Sequence, residues 1–92
     1  MTAQAADLIG EIRQLLAEIT RDQAPLRAQP DTPLLRDGLG LDSLAATMLL
    51  TEVKRRYGVD VADEDLNLDS LASIRALAAY VSARVGAHGR PR

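Results

Sequence analysis

Residues 37–58 read Asp37-Gly-Leu-Gly-Leu-Asp-Ser-Leu-Ala-Ala-Thr-Met-Leu-Leu-Thr-Glu-Val-Lys-Arg-Arg-Tyr-Gly58. Two glycines close an irregular segment, and Asp42 or Ser43 then supplies the side-chain oxygen that caps a helix start. Leu44 to Tyr57 is predicted to be that helix, with Gly58 as its left-handed stop. Leu49, Val53 and Tyr57 step along one face by fours with Leu50 beside them, which assigns that face to a core. Thr47, Met48, Thr51 and Glu52 fall on other faces. Met48 lies about 100° from Leu49 around the axis, so it is expected to be at least partly exposed. Lys54-Arg55-Arg56 occupies the last turn, where cations suit the negative end of the helix dipole.

Upstream, Leu8, Ile9, Ile12, Leu15, Leu16 and Ile19 recur at the spacing of one helix face and predict an amphipathic helix from Ala3 to about Arg21. Residues 22–42 hold Pro25, Pro30, Pro33, Gly38 and Gly40, which exclude a regular helix or a central strand. A loop of that length is uncommon in a small domain unless it has work to do, and Leu26, Leu34, Leu35, Leu39 and Leu41 predict that it is ordered and strapped across the core. Downstream, Val59 and Val61 flank Asp60 in a short extended connector. Asp63-Glu64-Asp65 is expected to open a short third helix running through Leu66 to about Ser70. Ser73 caps a final helix with the apolar stripe Ile74, Leu77, Ala78, Val81 and Val85, and Gly86 to Arg92 reads as a frayed tail. The predicted fold is all-α: a four-helix bundle with a long loop between helices 1 and 2 and a short third helix. Residues 1–86 are expected to form a single domain and residues 87–92 a flexible C-terminal tail.

Composition agrees with helix. Of 92 residues, 15 are Ala and 15 Leu, against 4 Ile, 5 Val, 2 Tyr and no Phe or Trp, and the strand-forming types are the scarce ones. Cysteine is absent, which removes disulfides, thiolate catalysis and zinc fingers. No basic, apolar leader opens the chain, and no run approaches the ~18 apolar residues of a membrane span, so a cytoplasmic protein that does not enter membranes is expected. Residues 37–70 carry 8 acids and 3 bases, an acidic middle that argues against a nucleic-acid partner. A hydrolytic triad would need a positioned base, and the single histidine, His88, falls in the expected tail. Asp60, Asp63, Glu64 and Asp65 lack the Gly and Glu of a calcium loop at the required spacing and read as capping and solvated carboxylates. Gly38-Leu-Gly40 lacks the Lys and the spacing of a nucleotide-binding loop. Neither catalytic residues nor a metal site is expected, and the chain does not read as an enzyme.

What remains is Ser43. A helix N-terminus presents unpaired N–H groups and a partial positive charge, so a serine in its first turn is well placed to bear a phosphate ester. Gly38 and Gly40 let another molecule approach the backbone closely. An arbitrary Asp-Ser-Leu is most often only a cap. Leu68-Asp-Ser-Leu71 serves as an internal control, since it repeats the Leu-Asp-Ser-Leu of 41–44 without glycines before it.

Taken together, Leu39-Gly-Leu-Asp-Ser-Leu44, the Glu52 and Tyr57-Gly58-Val59 ending of the second helix, Val61-Ala62-Asp63-Glu64-Asp65 opening the third, and Ser73-Ile74 with Leu77 and Tyr80-Val81 of the fourth resemble the acyl carrier proteins of the phosphopantetheine-dependent family. The likeness covers roughly residues 5–85. It implies that a separate phosphopantetheinyl transferase, using coenzyme A and magnesium, esterifies Ser43 with 4′-phosphopantetheine, whose thiol then carries an acyl thioester. The lack of cysteine suits such a carrier, because no protein thiol competes with the arm. The resemblance further implies that Asp42 contacts the modifying enzyme, that Leu44 is an exposed apolar anchor, and that acyl-loading and acyl-processing enzymes of a biosynthetic pathway are the partners. Carriers of primary fatty-acid synthesis have a strongly acidic second helix, whereas this one offers only Glu52. Ala45, Thr47, Met48 and Thr51 make a more apolar surface beside Ser43, similar to carriers of polyketide and nonribosomal-peptide assembly, and Gly-Leu-Asp-Ser-Leu leans to the polyketide type. The chain is expected to be a discrete, monomeric carrier. A free-standing peptidyl carrier holding an aminoacyl group and an unmodified helical adaptor with the same fold stay open at this point.

Overall fold

The computed structural model describes residues 5–35 and 38–88. The element order is α1 (Ala5–Thr20), a 3₁₀ turn (Ala24–Arg27), α2 (Ser43–Tyr57), α3 (Val61–Glu64), a second 3₁₀ turn (Asp69–Ala72) and α4 (Ile74–His88). Among the described residues there is no strand, and the all-α, four-helix prediction with a long first connection and a short third helix is met. α1 is the middle of the assembly and packs against both α4 and α2. Its stripe Leu8, Ile12, Leu15 and Leu16 is fully buried, as are Leu49 and Val53 of α2 and Ile74, Leu77, Ala78 and Val81 of α4. These side chains share one core with Leu34, Leu41, Val59, Val61 and Leu71.

Helix ends follow local chemistry. Gly58 stops α2 at φ 72°, and its N–H donates to the Lys54 carbonyl, a left-handed geometry that side chains resist. Ser73 caps α4, its Oγ accepting the Ala76 N–H at 3.0 Å. The backbone of α4 continues to His88, beyond the Val85 end of the predicted stripe. The rest of the expected tail, residues 89–92, lies outside the described residues.

The long connection is a strap, as expected. Its Pro30 and Thr32 carbonyls accept the Arg75 and Ile74 N–H groups at 2.7 and 3.3 Å, satisfying donors that the start of α4 leaves without intrahelical partners. Leu34 then dives fully into the core. Leu26, however, is exposed, and Pro25 is the buried residue of that turn. In a 3₁₀ turn neighbours point about 120° apart, so the two cannot both face inward.

The third helix starts at Val61, where the family likeness opens it, and earlier than the carboxylate run 63–65 predicts. Asp60 Oδ1 accepts the Asp63 N–H at 3.2 Å, so Asp60 is the cap and buried Val61 is the first residue of α3. The chain leaves helix at Asp65, and the stretch expected to be helical up to Ser70 is divided between an irregular turn and the second 3₁₀ turn. Leu68 is left-handed there, at φ 55°. The Asp65 carboxylate accepts the Ser70 N–H at 2.8 Å, and this bond holds its pKa below the usual carboxylate range. A depressed native pKa means that the stabilisation is present at neutral pH and is lost as the pH falls through the native value.

Candidate functional site

Asp42, not Ser43, caps α2. The Asp42 backbone is extended at φ −85° and ψ −179°, and its Oδ1 accepts the Ala45 N–H at 2.7 Å. Ser43 is therefore the first helical residue, exposed, with its hydroxyl not needed for capping. Ser70 shows what the same tetrapeptide does elsewhere: it sits in the second 3₁₀ turn and is 6% exposed.

The approach to Ser43 is fixed by a folded-back loop. Leu39 N–H donates to the Pro33 carbonyl at 2.9 Å and Leu41 N–H to the Leu34 carbonyl at 3.0 Å, so the chain enters α2 from a buried anchor. A Cβ built on Gly38 would lie 1.9 Å from the Pro33 carbonyl oxygen. Gly38→Ala is expected to lower stability by about 1–3 kcal/mol through overpacking and, if Ser43 is modified as the family likeness implies, to slow that modification several-fold. Thermal melting and a time course of intact mass measure both, with helical circular dichroism retained.

Apolar surface flanks the serine. Leu44 and Met48 are 69% and 42% exposed, and Thr47 and Thr51 are exposed as well, in line with the expectation for Met48. Met48, Thr47 and Thr51 face Leu15 and Ile19 of α1 across a groove of about 450 Å³, whose far end is charged with Glu18, Glu52, Arg55 and Arg56. Ser43 itself lines a second groove, of about 600 Å³, that runs between α2, through Ala46, Thr47 and Leu50, and the α3 region, through Ala62, Leu68 and Leu71. Charges on α2 are paired off. Glu52 accepts from Arg55 at 2.7 Å and from Arg56 at 3.5 Å, Arg56 also reaches Glu18 at 3.5 Å, and Lys54 meets Asp60 at 3.3 Å. Arg55 holds the Glu52 carboxyl below its ordinary pKa.

The structure brings Asp42, Ser43, Leu44, Thr47, Met48 and Thr51 onto one end and face of α2. Sequence reasoning missed the opposite walls: Ile19, visible only as the last member of the α1 stripe, and Ala62, Leu68 and Leu71, for which no local signal exists. Among the described residues no helix is long and apolar enough to cross a membrane, and no cluster of three or more His, Cys, Asp or Glu could hold a metal ion.

A free hydroxyl at a helix N-terminus, on the edge of a groove lined largely by apolar and hydroxyl side chains, fits a covalently held phosphate-linked arm. Residues 10–81 match the family described as Phosphopantetheine attachment site, and the chain belongs to this family of carrier proteins. It is 35% identical over 86 residues to an acyl carrier protein of Streptomyces coelicolor, a match covering 94% of this chain and 90% of that one. It is 36% identical over 59 residues to the anthracycline acyl carrier proteins DauA of Streptomyces sp. (strain C5) and DpsG of Streptomyces peucetius, covering 63% of this chain and 69% of each relative. No solved structure matches. The protein is thus an acyl carrier and not an enzyme, bearing covalent 4′-phosphopantetheine and meeting a phosphopantetheinyl transferase and the enzymes of a pathway. The arm's thiol supplies the thioester chemistry; the chain supplies the attachment point and the surfaces around it.

Proposed function

We propose that Ser43 is the residue that bears the arm, and that the protein is a discrete, monomeric, cytoplasmic carrier of polyketide-type intermediates. The observation that carries the site is the contrast between two Asp-Ser pairs, one exposed at the first turn of a 15-residue helix and the other buried in a 3₁₀ turn. The helix N-terminus stabilises the phosphodiester. Asp42, already oriented by the Ala45 N–H, is the contact for the transferase. The groove between α2 and the α3 region shelters the tethered group. Two relatives named as anthracycline carriers, together with a charge-paired, apolar α2 surface, support the polyketide-type reading over a peptidyl one. Incubation with coenzyme A, magnesium and a broad-range transferase is expected to raise the intact mass by one arm. No gain would overturn the reading and leave the unmodified adaptor.

Leu44, Thr47, Met48 and Thr51 form the surface that partners read. Met48→Glu is expected to leave the melting temperature and modification at Ser43 near those of the parent, because the side chain is 42% exposed. Acyl transfer to the pathway's own enzymes should fall about tenfold or more, since a charge at a desolvated contact costs a few kcal/mol. Single-turnover transfer rates measure this.

A further inference from the structure

Three side chains from two helices close a polar triangle away from Ser43. Arg84 Nε donates to Glu64 Oε1 at 2.7 Å, Arg84 Nη2 donates to Tyr80 Oη at 3.1 Å, and Tyr80 Oη donates to the same Glu64 oxygen at 3.3 Å. The guanidinium carbon also lies 4.4 Å from the Tyr80 ring centroid, a cation–π distance. Tyr80 and Arg84 belong to α4, whereas Glu64 is the last residue of α3.

That attachment bears on the groove beside Ser43. One wall stands on α2, a helix of 15 residues. The other is built from Ala62, Leu68 and Leu71, on a helix of four residues and a turn whose Leu68 is left-handed at φ 55°. Four residues are too few to hold a helix by its own hydrogen bonds, and a left-handed non-glycine residue persists only where its surroundings over-determine it. Val61 anchors the start of α3 in the core. Its far end is gripped by Arg84 and Tyr80.

We propose that Arg84 and Tyr80 are positioning residues for the carrier site: from α4 they hold α3, through Glu64, at the distance from α2 that shields the group tethered at Ser43. This rests on the reading that Ser43 bears the arm and that the groove shelters its cargo.

The test uses the full chain in two forms. In the unmodified protein, Arg84→Gln should speed amide hydrogen exchange over residues 61–71 about fivefold, the loss expected of one exposed ion pair and one cation–π contact, with α1 amides unchanged. With Ser43 loaded from a coenzyme A analogue that ends in a small solvatochromic fluorophore, the parent should emit to the blue of the free fluorophore. Arg84→Gln should move emission most of the way back, and Arg84→Lys should restore part of the shift. Unchanged exchange in Arg84→Gln overturns the proposal, as does faster exchange with parental emission. Parent emission equal to that of the free fluorophore shows instead that the groove does not shelter the arm, and the role of the triangle falls with it.

Discussion

Ser43→Ala abolishes the mass gain produced by coenzyme A and a phosphopantetheinyl transferase, whereas Ser70→Ala leaves it complete. Both serines follow Leu-Asp and precede Leu, so a transferase reading only four residues would modify both. Tertiary structure separates them. Ser43 is exposed at the first position of α2, with the cap handled by Asp42. Ser70 is 6% exposed, and its N–H is bound to Asp65. Reaching its hydroxyl would require opening the second 3₁₀ turn and withdrawing Leu71 from the core. Peptide mapping after labelling checks the assignment, and an arm found on Ser70 overturns it.

Leu49→Ala lowers stability by about 2–5 kcal/mol, as expected for a fully buried leucine reduced to a methyl group. Leu49 is 0% exposed and shares the core with Leu15, Ile74 and Leu77, so no solvent-side relaxation can fill the cavity. In a domain of this size each kcal/mol shifts the midpoint by roughly 4–8 °C, and the melting temperature should drop about 10 °C or more. A variant melting within a degree or two of the parent would mean that another face of α2 is buried.

These two results test different kinds of knowledge. The helices were legible because α1, α2 and α4 each carry a sustained apolar stripe, and two of them a recognisable end: Gly58 after α2 and Ser73 before α4. The α3 region was misplaced because four residues have no period to read. The run Asp63-Glu64-Asp65 looked like a helix start, and the true cap, Asp60, stood inside what read as an extended Val-Asp-Val connector. Leu26 was misassigned for a related reason. In a short 3₁₀ turn, which neighbour faces the core depends on the direction of the strap.

The sequence by itself determined the helical class, the number and order of helices, the candidate serine and the absence of a catalytic constellation, since periodicity, caps and residue inventory are local properties. Only the tertiary structure decided that Asp42 takes the cap and leaves the Ser43 hydroxyl free, that the serine of the same tetrapeptide at 68–71 is buried, and that Gly38 lies against the Pro33 carbonyl. It also joined the end of α3 to α4 through Glu64, Tyr80 and Arg84. Each of these depends on contacts between segments far apart in the chain, such as Arg84 with Glu64 or Thr32 with Ile74. Such contacts form only when burial of the shared core brings the segments together, and no local pattern in the sequence records them.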